Sequence, residues 1–134
     1  MAKESGLGMS VAIDDSGGTA RTISNDITNL DWSTPRAEQD ITGLDKSATE
    51  RLLLLADFSV TLNGVFNDAS NMSHDVFKTV PSSSVARTTT TAISGQTLPG
   101  ELFYTDYGVA RGGDGSLVWS APGALAGGVV PTWA

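Results

Sequence analysis

The sequence predicts a mostly β domain, a β-sandwich or semi-open barrel of two antiparallel sheets with one flanking α-helix and a long hairpin loop. Serine, threonine and glycine each occur 15 times among the 134 residues. Threonine favours strands, and glycine favours the turns between them. Apolar and polar residues alternate along one long segment, which is the pattern of a strand with one buried face. One other segment shows the spacing of an amphipathic helix.

Size, charge and cysteine content narrow the class of protein. A single domain, residues 1–134, is expected because domains typically contain about 100–150 residues. The formal charge of −7 argues against a protein that grips nucleic acid through clustered cations. The chain contains no cysteine, which excludes disulfides and thiolate metal sites. It shows neither a signal-peptide pattern nor a membrane-spanning apolar run, so we expect synthesis in the cytoplasm and no membrane association.

The N-terminal half is predicted to contain a flexible arm, three strands and a long loop. The arm covers residues 1–7, the strands cover 9–13, 19–32 and 51–66, and the loop covers 33–50. The loop carries mixed charges and almost no apolar run. Because structureless loops beyond about 12–15 residues are usually functional or disordered, we consider two interpretations: an ordinary mobile loop, and a protruding hairpin arm that contacts another chain.

The segment 51–66 shows the clearest strand pattern. Its even positions are apolar from Leu52 to Phe66, except for Gly64, and its odd positions from Asp57 to Asn63 are polar. One face of this strand is therefore expected to be buried and the other wet. Leu53 and Leu55 interrupt the polar face, which indicates either cover on both sides or a contact between molecules.

The C-terminal half is predicted to contain the helix and three further strands. Apolar residues recur at helical spacing over 69–80, and Pro81 follows, which favours a helix that ends there. The strands are expected at 85–93, 101–111 and 115–121. A turn region is expected at 95–100, and a short hairpin turn at 112–114. The remaining tail, 122–134, ends in Trp133, which is costly to expose and should therefore dock on this domain or a neighbour.

No residue pattern points to catalysis, a metal or a cofactor. His74 is the single histidine and lies within the predicted helix. The sequence contains no nucleophile motif such as G-x-S-x-G for which this histidine could act as the base. The acidic and glycine-rich turns at 14–18 and 112–115 lack the twelve-residue spacing of a calcium loop. We therefore predict no catalytic, cofactor-binding or metal-binding residues, and we do not expect the protein to be an enzyme.

The order of elements resembles that of the major tail tube proteins of long non-contractile-tailed bacteriophages. Three segments carry this resemblance: Ile41–Asp45 (ITGLD) in the long loop, Leu62–Asn67 (LNGVFN) before the helix, and Gly115–Trp119 (GSLVW) near the end. The resemblance covers roughly residues 8–134. It implies a structural virion protein whose copies form hexameric rings that stack into the tail tube, with four strands per subunit, about 19–32, 51–66, 101–111 and 115–121, lining an acidic channel.

The resemblance also implies partners and site residues. The partners would be further copies of the chain, a tape-measure protein, and tail terminator and baseplate proteins, with double-stranded DNA passing through the lumen without tight binding. The protein would be assembled in the host bacterial cytoplasm and end in the virion tail. The lumen-lining candidates are Asp57, Ser59, Thr61, Asn63, Glu101 and Asp106. The candidates for contacts between rings or subunits are Arg36, Glu38, Asp40, Asp45, Lys46, Glu50, Arg51, Leu53 and Leu55.

Other functions fit the same composition. The wet face of 51–66 is also what an ordinary solvated antiparallel sheet presents. The main alternative is a virion-surface or carbohydrate-binding β-sandwich, which would favour exposed aromatic side chains at loop tips. A small hydrolase is a third candidate, disfavoured by the missing catalytic residues. A tube subunit of a contractile tail or a secretion device is a close relative of the preferred interpretation.

Overall fold

The computed structural model describes residues 3–134 and confirms a mostly β, antiparallel fold with one short helix. The helix α1 covers Ser73–Phe77, and a single 3-10 turn covers Ser24–Asp26. The strands are β1 (Ser10–Asp14), β2 (Ala20–Thr22), β3 (Ile27–Ser33), β4 (Arg36–Asp40), β5 (Arg51–Ala56), β6 (Ser59–Val65), β7 (Arg87–Ile93), β8 (Gln96–Tyr104), β9 (Gly108–Arg111) and β10 (Leu117–Leu125).

Eight strands form one hydrogen-bonded sheet: seven follow the order β2-β1-β7-β8-β10-β6-β3, and the eighth, β9, pairs with β10 off this path. Strands β4 and β5 pair separately. The predicted two sheets are thus one bent main sheet and a small hairpin. Strands β8 and β9 lie end to end along the same edge of β10, pairing with Gly123–Leu125 and with 117–120 respectively. Three residues, 105–107, face two on β10 at the junction, so one extra residue forms a bulge. The predicted strand 101–111 is interrupted only by this bulge.

The core lies between the two halves of the bent sheet. Side chains of β1 and β8 from one half meet those of β6 and β10 from the other in a single buried cluster. Phe77 of α1 packs against Trp119 and Tyr104, with ring centroids 5.2 Å apart in both pairs. The short helix therefore contributes a core side chain, and the predicted burial of Phe58, Val60 and Leu62 is confirmed.

Two buried charged side chains join α1 to the sheet. The Asp26 carboxylate accepts hydrogen bonds from the Ser73 backbone N–H (3.0 Å) and the Asn67 amide (2.9 Å). The Arg87 guanidinium donates to the carbonyls of Val76 (2.9 Å) and Asp14 (3.0 Å). The carboxylate meets free N–H groups at the start of the helix and the guanidinium meets a carbonyl near its end, as the helix dipole favours.

Several predicted boundaries are wrong. The helix covers 73–77 instead of 69–80, because Asn71 adopts a left-handed conformation (φ 65°) that a continuing helix excludes. The predicted strand 19–32 is divided by the 3-10 turn, and the predicted turn region 95–100 belongs almost entirely to β8. Strand β10 extends to Leu125, so the first residues of the predicted tail are strand.

The predicted single strand 51–66 is divided at 57–58. Its first part, β5, pairs only with β4, so both faces of this hairpin are solvent-exposed, including Leu52 and Leu54, whose burial was predicted. The predicted loop 33–50 contains β4, and the mobile-loop interpretation gives way to a projecting hairpin. Of the predicted flexible arm 1–7, residues 1–2 lie outside the described residues, and residues 3–7 are exposed without helix or strand.

Candidate functional site: an outer sheet face, two free edges and a hairpin arm

Four neighbouring strands present their outward side chains on one surface, which we call the outer face. It is formed by β3, β6, β10 and the combined edge of β8 and β9. These strands contain parts of all four segments that the resemblance assigns to the channel wall, and they are contiguous in the sheet. The rest of two of those segments lies elsewhere, because β2 is at the opposite end of the sheet and β5 belongs to the separate hairpin. Register places Asp31 opposite Thr61, and Thr61 opposite Pro122. Because alternate residues point to opposite faces, the buried Val60 and Leu62 fix the outward direction of Ser59, Thr61 and Asn63.

The structure brings most of the lumen-lining candidates together. Ser59, Thr61 and Asn63 form one outward row on β6, and exposed Asp57 lies just before it, accepting a hydrogen bond from the Phe58 N–H (2.8 Å). Glu101 is outward on β8 and accepts a hydrogen bond from the Thr88 hydroxyl. Asp106 is placed differently, because it lies in the bulge and lines a cleft with residues near α1.

Asp31 on β3 was missed from the sequence although it lies on the outer face, in the middle of an edge strand. Its neighbours alternate as polar Asn29, Asp31 and Ser33 against apolar Leu30 and Trp32. This period-two pattern could have identified it, but the short segment was obscured by the bulge near Asn29. Asp31 adds a carboxylate to the face two strands away from Pro122 and directly beside Thr61.

No lysine or arginine of residues 3–134 lies on the outer face. Arg111 alternates onto the opposite side of β9, since its neighbour Ala110 pairs with outward Val118. Arg87 is buried. The remaining cations lie on the N-terminal segment, β2, the hairpin and the turn after α1: Lys3, Arg21, Arg36, Lys46, Arg51 and Lys78. The face therefore combines carboxylates with hydroxyl, amide and small side chains.

The outer face also contains apolar side chains. Val65, Val118 and Ala110 are direct cross-strand neighbours at one end, and Phe103 opposes Ala124 near the other. All five of these side chains are exposed. The face is thus banded, with hydroxyl and amide groups between two apolar ends, and it is not uniformly acidic.

The four-stranded layer ends in two free edges. Strand β3 pairs only with β6, and β9 pairs only with β10, so each leaves backbone N–H and C=O groups on its other side. Neither edge is capped by proline, and both are exposed along most of their length. Free edges of this kind are templates for pairing with another chain.

Strands β4 and β5 and their turn, residues 36–56, form a projection that we call the hairpin arm. The four consecutive leucines of β5 are exposed, at 49%, 58%, 40% and 87% for Leu52, Leu53, Leu54 and Leu55. An isolated two-stranded hairpin is only marginally stable in water. A leucine-rich hairpin without cover in its own chain therefore indicates a surface that another chain buries.

The charged candidates hold the hairpin arm together. The Arg36 guanidinium donates to the Leu54 carbonyl (2.9 Å), and Arg51 lies 3.4 Å from the Glu38 carboxylate across the pair. Asp40 accepts bonds from the hydroxyl and N–H of Thr42, which lower its pKa. Asp45 and Lys46 lie in the turn at the tip, and the Glu50 N–H donates to the Thr42 hydroxyl (2.8 Å).

The single histidine has a packing role. The His74 ring lies 4.8 Å from that of Phe66, and its Nδ1 is 3.2 Å from the Tyr107 hydroxyl. Burial raises the pKa of Tyr107. Within residues 3–134 the structure contains no group of three or more His, Cys, Asp or Glu side chains arranged to hold a metal ion. In the same range, no helix has the length and apolarity required to cross a membrane.

Comparison with known proteins gives fold matches only. No protein-family model matches the chain, and no curated protein matches it. A chain in the tail of an empty gene transfer agent (GTA) particle, a structure with C6 symmetry, aligns with a TM-score of 0.79 and 19% identity, covering 98% of this chain and 99% of that one. A chain in the virion of a native GTA particle aligns at 0.77 and 19%, covering 97% and 99%. The fold of this protein is therefore that of a chain found in a C6-symmetric tail.

Proposed function

We propose that this protein is a structural tail protein whose copies assemble as hexameric rings, and that the rings stack into a tube. The observation that carries the proposal is the outer face: four contiguous strands with a polar surface and a free edge on each side. The fold match over nearly the whole chain to a chain of a C6-symmetric tail supports the same assembly. The finer assignment, to the tube of long non-contractile tails, rests on the sequence resemblance.

Lateral pairing of free edges would close the ring. Within one copy, β3 and β9 lie at opposite ends of the four-stranded layer. Pairing the β3 edge of one copy with the β9 edge of the next therefore continues the sheet around an axis. Six copies supply about 24 strands. At about 4.8 Å spacing and about 45° tilt these give a circumference of about 160 Å and, after side chains, a bore of roughly 40 Å. This bore is several times wider than the major groove of a DNA duplex, which is about 12 Å wide, and we expect it to admit the duplex.

The outer face suits passage of DNA without retention. Phosphate contacts from lysine and arginine produce most nonspecific DNA affinity, and the face carries none of these residues. Asp31, Asp57 and Glu101 would repel phosphates weakly, while hydroxyl and amide groups keep the wall hydrated. We infer that these three residues, with Ser59, Thr61 and Asn63, line the channel. Asp106 is the least suitable of the candidates because of its position in the bulge.

The hairpin arm would join one ring to the next. Its exposed leucines need a partner surface, and a second copy of the chain in the adjacent ring supplies one within the same assembly. The charged residues at its base and tip, from Arg36 to Arg51, would then set register between rings. The partners inside and at the ends of the tube would be a tape-measure protein, a tail terminator and baseplate proteins, with the virion tail as the final location.

The alternative of a carbohydrate-binding module finds less support. Such a module would present aromatic side chains at loop tips, whereas Phe58, Phe77, Tyr104 and Trp119 are buried in the core. Phe103 lies within a strand of the outer face. Trp133, the one aromatic residue in the terminal segment, packs against Trp32 with ring centroids 6.1 Å apart.

Negative-stain microscopy of the concentrated protein tests the proposal. We expect rings or tubes from the wild-type chain and monodisperse particles from Leu55→Asp, which places a charge on the most exposed leucine of β5. Ser84→Asp is the matched control, because it adds the same charge in an exposed loop outside every proposed surface, and it should assemble like the wild type. Monodisperse wild-type protein at all concentrations, or normal tubes from Leu55→Asp, would contradict the proposal.

A further inference from the structure

The segment after β10 is held at two points along one edge of β8. The Ala126 N–H donates to the Glu101 carbonyl at 2.9 Å. Eight residues later, Ala134 and Thr97 exchange two backbone hydrogen bonds, each of 2.9 Å. Between these points the chain arches outward, with Gly128 at φ +71° and Val129 76% exposed. We call residues 126–134 the strap.

Two side chains of the strap contact the body of the domain. The Trp133 ring packs on that of Trp32, with centroids 6.1 Å apart and planes tilted by 59°. Pro131 fills space beside Gly100, where an added Cβ would lie 3.1 Å from both the Pro131 ring and the Phe58 ring. Gly100 thus provides the room in which Pro131 and Phe58 approach each other.

Trp32 and Phe58 stand at the two roots of the hairpin arm. Trp32 is the penultimate residue of β3, which leads into the arm through residues 33–35, and Phe58 follows β5 by two residues. The roots themselves are joined by the Asp57 N–H, which donates to the Pro35 carbonyl at 2.9 Å. The strap therefore contacts the chain on both the entering and the leaving side of the arm.

We propose that the strap is a releasable brace that sets the angle between the hairpin arm and the main sheet. The strap bonds to β8 through backbone groups and packs on the body through Pro131 and Trp133, and among the described residues it forms no side-chain hydrogen bond or ion pair. Gly127 and Gly128 at the start of the arch provide backbone freedom for it to swing away. Release would remove the ring packed on Trp32 and leave the arm root to move.

The consequence for assembly rests on the proposed function. An arm braced at one angle in the free subunit would meet the adjacent ring in a fixed orientation, and a swinging strap would let that angle adjust as rings dock. The brace itself is a property of the single subunit, so it can be tested whether or not tubes form.

Distance measurement between two spin labels tests the brace directly. The chain has no cysteine, so Gln39→Cys on the arm and Thr19→Cys before β2 provide two unique labelling sites on dilute subunits. We expect a narrow distance distribution in this background and a clearly broadened one after Trp133→Ala. Val129→Ala is the matched control, since this strap side chain is 76% exposed, and its distribution should stay narrow.

Hydrogen exchange provides a second measurement that separates release of the brace from unfolding. Trp133→Ala should speed exchange at the Asp57 amide by roughly fivefold to tenfold, the effect of losing one aromatic contact, while β1 and β7 amides stay protected. Trp133→Phe should restore most of the protection. If the Thr97 and Ala134 amides lose protection while Asp57 exchange and the label distances are unchanged, the proposal is wrong. Failure to form tubes would leave these readouts intact and would count only against the proposed function.

Discussion

Gly64 is the residue at which the fold tolerates no side chain. A Cβ added there would lie 2.1 Å from the Asp26 carbonyl oxygen and 2.7 Å from the Trp119 ring. We expect Gly64→Ala to lower the free energy of unfolding by about 2–3 kcal/mol, because backbone and a buried indole must both shift. Chemical denaturation measures this. Gly113→Ala, where an added Cβ meets open space, is the control and should change stability by less than about 0.5 kcal/mol.

Arg87 is a buried cation whose partners are carbonyl and hydroxyl oxygens. Burial lowers its pKa, and its guanidinium bonds to Val76, Asp14 and Thr79 tie α1 and the following turn to β7. Arg87→Met keeps much of the volume but leaves these oxygens without a donor, so we expect a loss of about 3 kcal/mol. Arg111→Met removes an exposed guanidinium and should be nearly neutral. A loss of under about 1 kcal/mol for Arg87→Met in urea unfolding would contradict this role.

Asp15 gives the fold a predictable acid sensitivity. The Thr19 N–H, followed by Arg21 and the Gly17 N–H, holds the pKa of Asp15 below its usual value. A carboxyl with a lower pKa in the folded state stabilises the fold above its unfolded value of about 3.9, and this stabilisation is lost as pH falls through the folded value. Asp15→Asn should therefore destabilise the protein at neutral pH and lose that effect at about pH 2.

Urea unfolding at both pH values measures this dependence. Asp68→Asn is the control, because Asp68 is exposed and takes part in no hydrogen bond or ion pair of the described residues. An equal effect of Asp15→Asn at neutral and acidic pH would show that the substitution acts through packing instead of charge.

At the scale of elements, the sequence predicted strands best where each strand is buried by its own chain. Strand β6 was identified from its alternating pattern and β7 from its threonine-rich sequence. One face of each strand contacts the core. The same alternation failed in β5, because its leucines have no partner within the domain. The helix begins later than predicted because Asn71 adopts a left-handed backbone conformation, which apolar spacing does not report. Asp31 was missed because a bulge near Asn29 interrupts the alternation of its strand.

The hairpin arm should be removable without loss of the fold. Its ends are adjacent, since the Asp57 N–H bonds to the Pro35 carbonyl, and no residue from Arg36 to Leu55 is buried. Replacing residues 36–56 by a short Gly-Ser linker should leave the thermal midpoint within about 4 °C, the shift expected for about 1 kcal/mol or less. The same variant should form no tubes by microscopy. Unfolded protein would contradict the independence of the arm, and normal tubes would contradict its role in assembly.

For the whole molecule, the sheet and its two open edges fit the proposed assembly of several copies. The inner faces of β6 and β10 pack into the core, and their outward faces belong to the outer face. That face carries the carboxylates of Asp31, Asp57 and Glu101 and, within residues 3–134, no lysine or arginine. In an isolated subunit, the unpaired edges of β3 and β9 would not stabilise the fold, and they would promote aggregation. In the proposed ring, closure around an axis would pair the backbone groups of both edges and enclose the outer face. The charges of that face would then line the channel.

Charge reversal on the outer face tests whether its carboxylates line the proposed channel. Asp31→Lys on the edge strand β3 and Asp57→Lys at the root of the hairpin arm each change the charge by two units per subunit. Both substitutions keep the backbone N–H and C=O groups of the edge and of the arm root, so tubes should assemble normally by microscopy. Asp68→Lys makes the same change in an exposed loop away from the face and serves as the control. A channel wall with added lysines would bind phosphates and slow the passing duplex, and the delay should weaken as salt increases. DNA release from assembled particles, followed over time at two salt concentrations, should therefore be slower for Asp31→Lys and Asp57→Lys than for Asp68→Lys. Equal release rates for all three variants would place Asp31 and Asp57 outside the channel.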